Sequence, residues 1–138
     1  MNNKHRLEYM YSQVTNAGFS FTYDGYGNIT GVNAGEYSSG SIGSLTSLGY
    51  GYSSDGEFRT SVTDERGLTT LYDVNTTTGL TNSITTPATV LGIDKNLITK
   101  YTYDEGNHNL LTAGLYSSDA PDTLISGVTY TYNNPVAQ

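Results

Sequence analysis

The chain contains no cysteine and no tryptophan, and only 14% of its residues are charged. The absence of cysteine excludes a disulfide scaffold and a thiolate metal site. Lys and Arg number 6 against 13 Asp and Glu, for a net charge of -7, and they form no cluster. Nucleic-acid binding and attraction to an anionic membrane both need clustered cations. No stretch approaches the roughly 20 apolar residues of a spanning helix. We therefore expect no nucleic-acid partner and no membrane insertion.

Residues that favour helices are scarce after the first dozen positions, whereas the chain holds 13 Tyr, 21 Thr, 14 Ser and 16 Gly. Tyr and Thr favour pleated strands, and Gly, Ser, Asn and Asp favour turns. Apolar residues make up only 36% of the chain. Tyrosine compensates in part, because each ring buries an apolar body and keeps a polar tip. The composition predicts an all-β protein.

Residues 1–16 form a lead-in segment, for which the sequence is compatible with either a short helix or an extended strand. Leu7, Met10, Tyr11 and Val14 have helical spacing, whereas Leu7, Tyr9 and Tyr11 would share one face of an extended strand. No apolar run follows Lys4, so we expect no signal peptide in this chain. If the protein is exported, we expect either that the chain is a piece of a longer polypeptide whose signal lies elsewhere or that the native gene is truncated.

A short motif recurs from residue 17 to residue 134: an aromatic, Thr or Gly, and Tyr, then a polar turn rich in Gly and Asn. In the weaker copy at Tyr72, Thr70 replaces the first aromatic residue. The second aromatic positions of the motif are 23, 52, 72, 103 and 132, with spacings of 29, 20, 31 and 29 residues. Such a period is typical of arrays in which one hairpin is repeated. We count four to five repeats, nine to eleven strands, an exposed connection over 35–48, and a tail at 135–138.

The repeats read as hairpins. Phe19, Phe21 and Tyr23 alternate with small polar residues, as in a half-buried strand. Asp24 can accept N–H groups across the following turn, and Gly27 can take a positive φ. The acid drifts to Asp55 in the second copy and becomes Asn133 in the last. A turn cap therefore explains this position better than an acid in catalysis.

The stretches 22–29, 64–81 and 101–107 resemble units of the RHS or YD-repeat family, and the resemblance extends over residues 19–134. It implies consecutive antiparallel β-hairpins that form a curved ribbon or open sheet, part of a shell around a polypeptide cargo such as a secreted toxin. Related animal teneurins use a similar shell in cell-surface adhesion. The chain would thus be a fragment of a larger secreted or cell-surface protein, flanked by further repeats. The repeat-motif positions, with a structural role, are Tyr23, Asp24, Gly27, Asn28, Tyr50, Tyr52, Asp64, Gly67, Tyr72, Asp73, Tyr101, Tyr103, Asp104, Gly106, Tyr130 and Tyr132.

No catalytic, cofactor or metal constellation is apparent. His5 and His108 are far apart in sequence, and turn acids such as Glu57 and Glu105 have no partner at a spacing that indicates chemistry. We therefore expect no enzyme activity and no cofactor. The alternative to a structural module is a carbohydrate-binding or adhesion module, since exposed tyrosines beside Asn and Asp can bind sugar rings. In either case unpaired sheet edges predict self-association.

Overall fold

The computed structural model describes residues 5–88 and 95–132. They form eleven β-strands and no α-helix, which confirms the all-β prediction and the expected number of strands. No helix in these ranges is long and apolar enough to cross a membrane. The first four residues of the lead-in segment and the predicted tail at 135–138 lie outside the described residues.

Two units make up the chain, residues 1–69 and 70–138. The first contains β1 (Tyr9–Tyr11), β2 (Ala17–Tyr23), β3 (Ile29–Ser38), β4 (Ser41–Ile42), β5 (Thr46–Tyr52) and β6 (Arg59–Thr63). The second contains β7 (Thr69–Val74), which begins at the boundary, β8 (Thr81–Thr86), β9 (Leu97–Tyr103), β10 (Leu110–Ser117) and β11 (Ser126–Thr129).

Each unit is an open antiparallel sheet whose strands follow chain order. The order is β1-β2-β3-β5-β6 in the first unit and β7-β8-β9-β10-β11 in the second, with β4 paired only to β3. The predicted hairpin array is therefore confirmed. The lead-in segment is extended at β1, where the helical reading fails. The connection expected over 35–48 is partly strand, because β3 continues to Ser38 and β4 folds back on it.

The two faces of the first sheet differ in character because side chains alternate along each strand. One face is apolar, and the pairing registers place on it Met10, Phe19, Phe21, Val32, Ala34, Leu48, Tyr50 and Val62. The opposite face carries mainly small residues, among them Gly18, Ser20, Asn33, Ser47, Gly49 and Thr63, together with Tyr9 and Tyr11 of the outer strand β1. At one end of this small-residue face the rings of Tyr11 and Tyr37 stack 3.8 Å apart.

The second sheet repeats this division. Its apolar face carries Tyr72, Ile84, Tyr101, Ala113, Leu115 and Val128. Its other face carries mainly Ser, Thr and Gly, together with Lys100, whose ammonium lies 4.7 Å from the centre of the Tyr116 ring.

Neither sheet is covered by a second layer within the described residues. No apolar side chain there is buried, and the only buried residues are Gly18 and Gly114. Gly18 is enclosed by its own sheet, since a Cβ there would lie 2.4 Å from the carbonyl oxygen of Met10. A domain of this size normally packs its layers around a core. Here each unit is a single layer with an exposed apolar face.

Four hairpins share one irregularity beside the turn. One extra residue bulges from the return strand directly after the turn in the hairpins β2–β3, β5–β6, β7–β8 and β9–β10. The bulged residues are Thr30, Thr60, Asn82 and Leu111. Because the chain meanders, these turns lie on the same side of their sheet, at the ends of the strands. We call this side the turn edge, and its turns are residues 24–28 and 53–58 in the first unit and 75–80 and 104–109 in the second. A bulge bends and twists its strand locally.

Candidate functional site

Four tyrosines make the same contact at the ends of strands. Each donates its phenol hydroxyl to a backbone carbonyl at or just before the start of the preceding strand in the sheet. The pairs are Tyr23 with Leu7 (2.8 Å), Tyr52 with Ile29 (3.1 Å), Tyr103 with Thr81 (2.8 Å) and Tyr132 with Leu110 (2.9 Å). When the ladder registers are extended, each acceptor lies opposite the residue just before the tyrosine. We call these contacts the tyrosine locks.

Turns at the turn edge are capped by the side chain that follows the lock position. The Asp24 Oδ1 atom accepts N–H groups from Tyr26, Gly27 and Asn28 at 2.9, 2.7 and 2.9 Å. Asp104 Oδ1 accepts from Gly106 and Asn107 at 2.9 and 2.7 Å. These are Asx turns, in which a short polar side chain satisfies backbone donors.

Asp64 caps the short turn between β6 and β7 in the same way. Its Oδ1 atom accepts N–H groups from Arg66 and Leu68 at 3.0 and 2.9 Å, and its Oδ2 atom pairs with the Arg66 guanidinium at 2.7 Å. Gly67 has a φ of 79° and Gly27 a φ of 104°, values that favour glycine.

The capping hydrogen bonds favour the ionised carboxylates. The Arg66 side chain and then the Leu68 N–H lower the pKa of Asp64 below its ordinary value of 3.8. For Asp24 the largest single influence is partial desolvation, which would raise the pKa. The hydrogen bonds from Asn28, Gly27 and Tyr26 together outweigh it, so this pKa is also lowered. Among the tyrosine locks, burial raises the pKa of Tyr103 above its ordinary value of 10.0.

The third repeat is offset from the Tyr-Asp pair that the sequence suggests. Tyr72 and Asp73 lie inside β7, and the turn is capped two residues later by Asn75, whose Oδ1 atom accepts the N–H groups of Thr77 and Thr78. Val74 therefore occupies the position of a locked tyrosine. The structural positions become 23, 52, 74, 103 and 132, with spacings of 29, 22, 29 and 29. The pattern of cap, four residues and Leu or Asn shared by 75–80 and 104–109 is the sequence signal for this offset.

The first tyrosine of each motif has a role different from that of the second, locking tyrosine. Tyr50 and Tyr101 lie on the apolar faces, half-buried, and their hydroxyls make no hydrogen bond within the described parts of the chain. Tyr130 is 42% exposed beside the outer strand. In the Tyr-x-Tyr motif the first tyrosine therefore lies on a face of the sheet, and the second forms the lock contact.

At the turn edge of the first unit, successive turns touch. The Tyr26 hydroxyl donates to the carbonyl of Ser54 at 2.8 Å. The Asn28 amide donates to Asp24 Oδ2 at 3.0 Å and to the carbonyl of Gly56 at 2.7 Å. The Tyr26 ring covers Gly56, where a Cβ would lie 2.5 Å from ring carbons. The space between these turns is therefore filled.

At the turn edge of the second unit, the corresponding space is a groove of about 340 Å³. Its lining comes from both turns and from β8 and β9: Asn75, Thr78, Leu80, Asn82, Tyr101, Thr102, Tyr103, Asp104, Glu105 and His108. The groove brings three predicted motif residues, Tyr101, Tyr103 and Asp104, together with polar groups in a concave surface. The sequence did not indicate the groove, since its residues come from two repeats.

No metal constellation is assembled in residues 5–88 and 95–132. No group of three or more His, Asp and Glu there could hold a metal ion. His108 lies exposed in its turn with a φ of 58°. The capping carboxylates are engaged by backbone N–H groups, which explains why Asn75 can stand where Asp24 stands elsewhere.

Removing a locking hydroxyl is expected to destabilise its unit. Tyr52→Phe and Tyr103→Phe leave a carbonyl without its donor and keep the ring, so each should lower the free energy of unfolding by about 0.5–1.5 kcal/mol. Urea denaturation measures this. Tyr50→Phe and Tyr101→Phe are the matched controls in the same strands and should change little. Equal losses in the controls would show that the lock contacts are not the cause.

Acid is expected to weaken the capped turns. Because the folded-state pKa of Asp64 lies below its unfolded value, its contribution is complete above that value and disappears as the pH falls through the folded pKa. The urea midpoint should therefore fall as the pH is lowered below about 4. Asp64→Asn should reduce this fall, and Asp122→Asn, whose parent side chain is 97% exposed, should not. An unchanged pH profile in Asp64→Asn would contradict the linkage.

No protein-family model matches the chain, and no curated protein sequence matches it significantly.

Proposed function

We propose that the chain is a structural β-repeat module, a fragment of an RHS/YD-repeat wall that encloses or displays a polypeptide cargo such as a secreted toxin. It would act within a larger secreted or cell-surface protein, without enzyme activity or a cofactor. The observation that carries the proposal is the exposed apolar face of a single-layer sheet. We expect a partner to cover this face, because large apolar patches on soluble proteins commonly mark interaction sites.

The apolar face of the first unit offers a surface for extended polypeptide. Phe19 is 44% exposed and Leu48 is 37% exposed. A groove of about 360 Å³ runs beside them, lined by Phe19, Val32, Ala34, Thr46, Ser47, Leu48 and Glu65. Covering such surface yields about 25 cal/mol per Å² of apolar area. An unfolded cargo, whose own apolar side chains are exposed, is the partner that gains most.

The repeated construction supports an array that continues through flanking repeats. Bulge, cap and lock recur with one geometry, and a unit without a shared core can be extended strand by strand. The outer strand β11 is exposed along its whole length. Its unpaired backbone groups are a template for a further strand.

A carbohydrate-binding or adhesion module is the second candidate. It is favoured by one observation, the tyrosine-lined polar groove at the turn edge of the second unit.

The wall proposal predicts saturable binding of an unfolded polypeptide to the apolar face. The probe is fluorescently labelled, reduced and carboxymethylated lactalbumin, followed by fluorescence anisotropy. Leu48→Asp should weaken binding severalfold, because it places a charge in the apolar contact. Asn33→Asp adds the same charge on the opposite face, on the neighbouring strand β3 and outside the groove lining, and should leave binding unchanged. Absence of binding, or equal loss in both variants, would refute the cargo-facing role.

The exposed edge predicts self-association into a dimer or a larger assembly. The Tyr130 N–H donates to Leu111, and the register then directs the N–H of Thr129 away from β10. Thr129→Pro removes this outward donor and should lower the associated fraction, whereas Thr129→Val keeps the donor and should not. Light scattering over a concentration series measures the mass. A monomer at the highest concentration would contradict edge pairing.

A further inference from the structure

The space between successive turns is closed in the first unit and open in the second. In the first unit, Tyr26 and Asn28 cross from one turn to the next and close that space. In the second unit the two turns share one pattern of backbone hydrogen bonds. The N–H groups of Asn75 and Asp104 donate to the carbonyl five residues later, and their carbonyls accept the N–H of the residue four positions later. No side chain bridges these turns within the described residues. The groove of about 340 Å³ remains between them.

The floor and walls of the groove combine aromatic and amide groups. Tyr101 and Tyr103 contribute ring surface, and Leu80 adds an apolar edge. The Asn82 side chain and the Tyr101 hydroxyl have no hydrogen-bond partner within the part of the chain that the structure describes. Asp104 uses Oδ1 for its turn, and Asn75 does the same, so the Asp104 Oδ2 and Asn75 Nδ2 atoms are available to a ligand.

Two departures from regular backbone converge on the groove. Asn82 is the bulged residue of the hairpin β7–β8, and a bulge redirects a side chain that a regular ladder would place elsewhere. His108 has a φ of 58°, at the turn position where the preceding hairpin has Gly79 with a φ of 74°. A histidine in this conformation is less favourable than glycine, and such local strain tends to be kept at functional sites. Both side chains line the groove.

The charge of the groove restricts the ligand. Asp104 and Glu105 are acidic, and none of the lining residues is Lys or Arg. Anions such as phosphate or an acidic polysaccharide are therefore disfavoured. Neutral rings that present hydroxyl groups at the rim and C–H groups on the face match amide and carboxylate partners beside tyrosine rings. The volume lies at the lower end of the range of about 300–1,000 Å³ typical of small-molecule sites.

We propose that this groove binds a neutral sugar residue of a glycan, with Tyr101 as the stacking platform and Asn82, Asn75 and Asp104 as hydrogen-bonding partners. The site rests on the carbohydrate-binding alternative and is independent of the wall function, because it uses the turn edge of the second unit and not the apolar face of the first.

Titration calorimetry with three hexasaccharides tests the site: β-1,4-linked N-acetylglucosamine, α-1,4-linked glucose and, as the anionic counterpart, α-1,4-linked galacturonate. At least one neutral hexasaccharide should bind saturably in the micromolar to millimolar range, and the anionic one should not. Tyr101→Ala should weaken binding about tenfold, since stacking is lost. Asn82→Ala, at an exposed position that leaves the fold intact, should weaken it about twofold to tenfold.

The matched control is Tyr50→Ala, the same repeat position in the first unit, which should leave sugar binding unchanged. Leu48→Asp should also leave it unchanged, so a failure of the wall proposal and a failure of this site are distinguishable. Three results would overturn the sugar site: no binding of either neutral hexasaccharide, affinity unaffected by both groove variants, or tighter binding of galacturonate. Binding of an unstructured neutral peptide in their place, lost in Asn82→Ala, would overturn the ligand class.

Discussion

Backbone hydrogen bonds between neighbouring strands hold this protein together, because no apolar side chain in the described chain is buried in a core. A single-layer sheet gains little from side-chain packing, so the ends of its strands, where the ladder stops, are its weak points. The tyrosine locks and the capped turns act at those ends. They satisfy carbonyl and N–H groups that would otherwise face only water. The recurrence of one geometry at four strand ends follows from this need.

The absence of a core also separates the roles of the two sides of each sheet. One face carries mainly small residues, and the aromatic and aliphatic residues on the other form a surface that a partner can cover. The turn edge is a third surface, and there the two units diverge. Tyr26 and Asn28 close it in the first unit, whereas Asn82, Tyr101 and His108 surround open space in the second. A repeat architecture can thus vary one edge without altering its ladder.

Most of the fold could be predicted from the sequence. Tyr-x-Tyr alternation indicates strands, and Asp24 and Asp104 before glycine and asparagine indicate capped turns. The offset at Tyr72 and Asp73 was missed because that pair imitates the motif, while Asn75 makes the turn. The lock acceptors were not predictable either, since each lies 16 to 23 residues away and depends on strand register. The groove was not predictable because its residues come from two repeats, and local sequence patterns do not show how two repeats pair.

The meander order of the strands has a mechanical consequence. When a chain of hairpins is pulled from its ends, the load falls on one outer strand at a time, and its hydrogen bonds break in succession, not together. Each unit should therefore peel at low force, strand by strand, with the lock of the next strand as the next small barrier. Stretching would then lengthen the chain gradually while the inner hairpins keep their register.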